Sequence, residues 1–191
     1  MSRRAVALAS LATVVAADWT IHRRRPRWLL VGLLDVPAHV GTGALVLANL
    51  PARSGHWTGG FLAGSVLPDL DHVPLVLSRV HPDIDDPRPV THCLLALAPL
   101  PLVAAALRGG ARDWCLGAAA GGLAHFARDL AVGTGVALLR PLDRRSRKLP
   151  YPVYAAVLVA LAARAAWRSG CGERAGARCA WPDPAKCGHK R

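Results

Sequence analysis

The chain has 191 residues, 52% hydrophobic and 19% charged, with a formal net charge of +12 and a mean hydropathy of +0.27. That length suits one domain, and the apolar fraction excludes a disordered or collagen-like chain. The charges are 21 Arg and 3 Lys against 11 Asp and a single Glu, Glu173; a soluble bundle wets its outer face with Glu and Lys at i, i+4 spacing, so this outer face is not built to meet water.

In chain order, Met1–Arg4 precede an apolar run, Ala5–Ala17, in which Val15-Ala16-Ala17 would pass as a signal-type cleavage site. The string His22-Arg23-Arg24-Arg25-Pro26-Arg27 directly after it opposes export, so a short first helix that is retained is expected. Apolar blocks follow. Residues 28–52 hold one charge, Asp35; residues 54–78 hold only Asp69 and Asp71; residues 89–107 hold none; residues 114–139 hold only Arg128 and Asp129; residues 149–167 hold only Arg164. Each reaches or exceeds the roughly 20 residues that cross a hydrocarbon core. The expectation is an all-α, multi-spanning transmembrane bundle of about five to six helices over residues 1–168, with a broken helix where Pro68 and Pro74 bracket Asp69–His72.

The basic residues orient this bundle. If every block crosses, the loops at 23–27, 79–88 and 140–148 share one side and carry 11 Arg and Lys, against 5 on the other side (Arg3, Arg4, Arg53, Arg108 and Arg112). The positive-inside rule puts the three basic loops in the cytoplasm, which gives a multi-pass protein of the cytoplasmic membrane. The same loops account for the net charge, and no continuous basic face with interleaved aromatics points to nucleic acid as a partner. The tail, 169–191, turns to Gly, Arg and Pro and reads as a flexible appendage; its Cys171, Cys179 and Cys187 are spaced by eight, without the close Cys-x-x-Cys pair of most structural zinc sites. Cys93 and Cys115 lie in apolar blocks and read as small core residues.

Ionisable groups at membrane depth are costly and normally face the interior, where they pair or bind something. Apart from Arg128 they are here all Asp and His, in four clusters: Asp35 with His39, Asp69-Leu70-Asp71-His72, Thr91-His92, and His125 with Asp129. The first and last pairs are i, i+4, so each projects from one helix face. Asp and neutral His suit zinc, manganese or iron. At helical rise, Asp35 lies about 12 Å from Arg27, Asp71 about 12 Å from Arg79, His92 about 6 Å from Arg88 and Asp129 about 16 Å from Arg140, all measured from the cytoplasmic side. The clusters therefore converge on one layer. Two blander readings stand beside this one: Asp35 stabilising the first turn of its helix, and His125 with Asp129 as a structural pair with Arg128 as partner.

The string Leu67-Pro68-Asp69-Leu70-Asp71-His72 resembles the signature of the YdjM-like family of membrane-bound proteins assigned as metal-dependent hydrolases. Pro37-Ala38-His39, Arg88-Pro89-Val90-Thr91-His92, and Gly122-Leu123-Ala124-His125 with Asp129 are similar to three further elements of that family in the same order, with Pro87 standing where the family often has His and Cys93 where it has Ser. The resemblance implies a divalent metal, zinc first and manganese second, held by His39, Asp69, Asp71, His72, His92, His125 and Asp129. It implies Asp69 or Asp71 as the group that orients the attacking water or takes its proton, with Thr91 and Arg88 touching a small-molecule substrate, a phosphoester or a lipid-like one, and membrane lipid as surroundings. Intramembrane Asp and His also build cation or proton relays, and a metal can be merely structural. A transporter and a catalytically silent scaffold are therefore the competing functions.

Overall fold

The computed structural model describes residues 2–26, 28–72, 89 and 92–179, and within these the side chains of 28, 29 and 170–179 are left aside. Helix α1 (Arg3–Arg24) starts where the Ser2 hydroxyl accepts the Ala5 N–H at 3.2 Å and stops where Arg25 turns left-handed ahead of Pro26. It is longer than the apolar run that predicts it. Helix α2 (Trp28–Asn49) carries Pro37 in its interior, which removes the i→i−4 bond from position 37 to the Leu33 carbonyl. Helix α3 (Gly55–Gly64) is capped by the Ser54 hydroxyl, which accepts from Trp57 N–H at 3.2 Å and donates to Asp113 at 2.5 Å. A 3₁₀ turn, Leu67–Asp71, follows. Then come α4 (Leu94–Leu97), α5 (Pro99–Ala106), α6 (Gly109–Asp129) and α7 (Tyr151–Cys179). No strand is present among the described residues; a single bridge joins Val136 to Arg147 in the loop between α6 and α7.

The all-α expectation holds among the described residues, but the five to six expected crossings do not reduce to as many long apolar helices. Among the described residues two helices, Arg3–Arg24 and Leu30–Asn49, are long and apolar enough to cross a membrane. The block at 54–78 breaks at Gly64, ahead of Pro68, because Pro68 disfavours helical backbone at Leu67 and cannot donate to the carbonyl ladder. In the block at 89–107, Leu94–Ala106 spans only about 20 Å. The block at 114–139 starts its helix earlier, at Gly109, and ends it at Asp129, after which the chain is irregular to Pro150. Helix α7 continues eleven residues past 168, to Cys179. Pro74, Arg88, Thr91, Cys187 and His189 lie outside the described residues.

Two packing modes meet at α2 and α6. Helices α1, α2 and α7 close on an apolar cluster that includes Val14, Leu45, Tyr154 and Leu158, tied by Thr42 to the Tyr154 hydroxyl at 2.7 Å and by Asn49, which donates to the carbonyls of Leu45 and Leu161, both at 2.9 Å. Helices α3 and α6 instead pack backbone to backbone. Gly60 and Gly64 face the carbonyls of Trp114 and Ala118, and Gly117 and Gly121 face those of Trp57 and Phe61; a Cβ at any of the four would collide with the opposite main chain. Two reciprocal Gly-x-x-x-Gly faces are the small-residue packing by which helices associate without a hydrophobic drive.

Candidate metal centre

The close α3–α6 contact delivers the chain end of α3 to the side chain of His125. One turn beyond Gly121, the His125 ring points at the end of α3, and its Nδ1 donates to the Ser65 carbonyl at 3.0 Å. That partner puts the proton on Nδ1 and leaves a lone pair on Nε2. His92, just before α4, does the same by another route: its Nδ1 donates to Asp71 Oδ2 at 3.0 Å. The two Nε2 atoms then face each other at 3.4 Å. His39 stacks on His125 with ring centroids 3.8 Å apart, its Nε2 lying 3.4 Å from Asp129 Oδ1 and 3.7 Å from Asp69 Oδ2.

The carboxylates complete the cluster. Asp129 Oδ2 is 3.1 Å from His125 Nε2 and 3.5 Å from His92 Nε2. Asp69 Oδ1 is 3.5 Å from His92 Nε2 and 3.6 Å from His125 Nε2. His72 Nδ1 lies 2.8 Å from Asp71 Oδ1. His39, His92, His125 and Asp129 are at most 1% exposed, whereas the side chains of Asp69, Asp71 and His72 retain 15%, 16% and 28% exposure. The centre is closed on the α2 and α6 sides and opens along the 3₁₀ turn.

All seven residues expected as ligands thus come together. Among the described residues, three groups within them and beside them offer ligand atoms within 4.8 Å of one another: His39, His125 and Asp129; Asp69, His72 and His92; and Asp35, His39 and Asp69. The donor set fits a divalent cation. Imidazole lone pairs face one another and face carboxylate oxygens at 3.1–3.6 Å, and the buried Asp69 Oδ2 has no hydrogen-bond partner. Like-signed acceptors at these distances repel unless a cation or additional protons lie between them. The outer ring nitrogens, anchored on a carbonyl and a carboxylate, are the supports that orient metal-ligating histidines.

A second charged group adjoins the first. Arg128, wholly buried, donates from Nη2 to Asp18 Oδ1 at 2.6 Å and from Nη1 to Asp35 Oδ1 at 2.5 Å. Asp18 Oδ2 also accepts from the Tyr151 hydroxyl at 3.0 Å. Asp35 therefore does not serve the first turn of α2; it lies in the third turn, facing Arg128. Sequence reasoning passed over Asp18, although it is the only ionisable residue between Arg4 and His22, the same signal that marked Asp35. The Ser65 carbonyl has no sequence signal at all. Cys93 and Cys115 are buried, as expected of core residues, and His22 is exposed.

An all-helical chain with a polar, His- and Asp-rich interior able to bind metal is the class that fold and site define. The chain matches the family model described as YdjM inner membrane protein over residues 6–181, and it belongs to that family. No curated protein and no solved structure matches it.

Proposed function

We propose that this protein is a multi-pass inner-membrane hydrolase that uses a divalent metal, zinc before manganese, to activate water against a phosphoester or lipid-like substrate. The observation that carries the reading is the convergence of the His92 and His125 Nε2 lone pairs, 3.4 Å apart, with Asp69 and Asp129 around them. The membrane setting is supported by the distribution of polarity. The interior holds Asp18, His39, Thr42, Asn49, His92, His125, Arg128 and Asp129, while large apolar side chains stand outward on several helices, Leu102 and Trp167 at 72% exposure. Outward apolar side chains around buried ionisable groups favour surroundings of lipid over water.

A divalent ion, when bound, supplies Lewis acidity and a water of lowered pKa. His39, His92, His125 and Asp129 would hold it from the closed side. Asp71 has its two oxygens engaged with His92 and His72, at 3.0 and 2.8 Å, and acts by orienting His92. Asp69 stands between the three imidazoles at the open edge, which makes it the better-placed group to take a proton from water. Substrate enters along the 3₁₀ turn, with Thr91 and Arg88 assigned to contact it.

Elemental analysis of the purified protein, with turnover of a phosphoester and acyl-ester panel, tests this reading. About one or more Zn or Mn per chain and its loss in His125→Ala are expected; a metal-free wild type overturns the site. Metal with no turnover across the panel would point to a structural metal in a silent scaffold.

A further inference from the structure

The loop between α6 and α7 gathers five basic residues, Arg140, Arg144, Arg145, Arg147 and Lys148, around one acid, Asp143. It has no helix or strand of its own, yet it is fastened along its length. Val136 and Arg147 exchange both backbone hydrogen bonds, at 3.0 and 2.8 Å, and the Ser146 hydroxyl donates to the Thr134 carbonyl at 2.6 Å. Gly135 permits that bridge: its φ is +79°, and a Cβ there would collide with the Arg147 carbonyl. Leu94, the first residue of α4, ties the loop to the bundle by donating to the Leu138 carbonyl at 2.9 Å.

Between Leu94 and this loop lies a cavity of about 360 Å³, the size of a small-molecule site. Its lining is of two kinds: Leu94, Leu138 and Leu139 are apolar, and Asp143, Arg145 and Arg147 are charged. Asp143 is spent within the loop, its Oδ2 accepting from the Arg147 guanidinium and its Oδ1 from the Arg145 backbone N–H, both at 2.9 Å. The Arg145 guanidinium has no carboxylate partner among the described residues. Beside the cavity, Leu142 is 93% and Leu139 51% exposed. Bare leucines among bare arginines suit neither water nor hydrocarbon. They suit the boundary, where apolar tips reach acyl chains while guanidiniums stay among phosphates.

We propose that this cavity binds the headgroup of an anionic phospholipid, with Arg145 and Arg147 on the phosphate and Leu94, Leu138 and Leu139 against the first carbons of the acyl chains. A guanidinium matches phosphate oxygens in pairs, and the excess of base over acid selects an anionic lipid over a zwitterionic one. The leucines select a lipid over a free anion. Leu94 follows His92 by two residues, so their Cα atoms are no more than about 7 Å apart; a lipid held here lies against the segment that carries a ligand of the metal centre. The inference rests on the membrane half of the proposed function and not on the metal.

The test uses the full chain in a non-ionic detergent after chelation. Dihexanoyl-phosphatidylglycerol, dihexanoyl-phosphatidylcholine and glycerol phosphate are titrated separately, and native mass spectrometry counts what is bound. The wild type should hold one phosphatidylglycerol per chain, well above the other two. Arg145→Gln, which breaks no ion pair, should weaken that binding about fivefold, and Arg145→Gln with Arg147→Gln about twenty-five-fold, the worth of one basic residue each at an anionic lipid. If the double variant does not fold, Arg145→Gln alone decides. Arg108→Gln with Arg112→Gln removes equal charge from the exposed start of α6 and should change nothing. The site is overturned if the α6 pair weakens binding as much as the loop pair, if phosphatidylcholine binds as tightly, or if glycerol phosphate does. A wild type that takes up no metal defeats the hydrolase centre, and the phosphatidylglycerol titration still decides this site; a protein that keeps its metal but binds no phosphatidylglycerol defeats this site alone.

Discussion

Two buried charged clusters lie side by side between α2 and α6, and they are built on opposite logic. Around Arg128, donors meet acceptors: two guanidinium nitrogens and a tyrosine hydroxyl face two carboxylates at 2.5–3.0 Å. Around His125, acceptors meet acceptors: imidazole lone pairs and carboxylate oxygens face each other at 3.1–3.6 Å. The first cluster pairs its charges with the chain's own atoms, with Arg128 Nε alone left without a hydrogen-bond partner among the described residues. The second has the right atoms for a ligand and the wrong ones for itself. Burial alone therefore does not mark a ligand site; the sign of the groups that burial brings together does.

The largest expected effect breaks the self-sufficient cluster. Arg128→Ala leaves Asp18 and Asp35 buried without their cation, a loss on the order of 3–5 kcal/mol, and it should appear in thermal unfolding in detergent whether or not metal is present. An equal loss that metal fully reverses would erase the distinction between the clusters. Next comes Gly121→Val. Its Cβ meets the Phe61 carbonyl, main chain that cannot rotate away, so about 3 kcal/mol, the upper part of the overpacking range, is expected. Because α3 supports His125 through Ser65 but does not touch the Arg128 group, bound metal should fall while the α1–α2–α7 side stays folded, as limited proteolysis would show. Somewhat smaller is the effect of the ion itself: Zn²⁺ at about a hundred times its Kd should stabilise the wild type by about 2.7 kcal/mol and leave His125→Ala unmoved. Calorimetry with and without chelator reads both.

Much of this centre was legible because ionisable residues in apolar blocks are few, and each is informative. His39, Asp69, Asp71, His72, His92, His125 and Asp129 were found that way, and the helical rise placed them in one layer. The helix boundaries were less legible. Block length counts apolar residues but not where the backbone stops: the break expected at Pro68–Pro74 comes earlier, at Gly64, and the end of α6 at Asp129 escaped notice. The Gly60/Gly64 and Gly117/Gly121 faces were in plain view as a four-residue spacing, but the pairing that gives them meaning is tertiary. Asp18 was missed for a simpler reason: the first helix had been weighed as a cleavable segment and not as a wall of the site.

The smallest expected effect isolates burial as the variable. Asp143 and Arg147, in the loop between α6 and α7, are the same residue types as Asp35 and Arg128 and meet at 2.9 Å, but the Arg147 side chain is 62% exposed. The Arg145 backbone N–H, then the Arg147 guanidinium, holds the Asp143 carboxyl below its ordinary value. A depressed folded-state pKa gives stability that is present above the unfolded value, about 3.9, and lost as pH falls through the folded one. At pH 7 the contribution is constant and screened by water. Asp143→Asn should therefore cost at most a small drop in melting temperature at pH 7, leave metal content unchanged, and converge on the wild type in the acid limb of the profile, below about pH 4. A large loss at pH 7 would mean that this loop pair is a structural lock like the one around Arg128, and that the contrast between the clusters lies in geometry more than in burial.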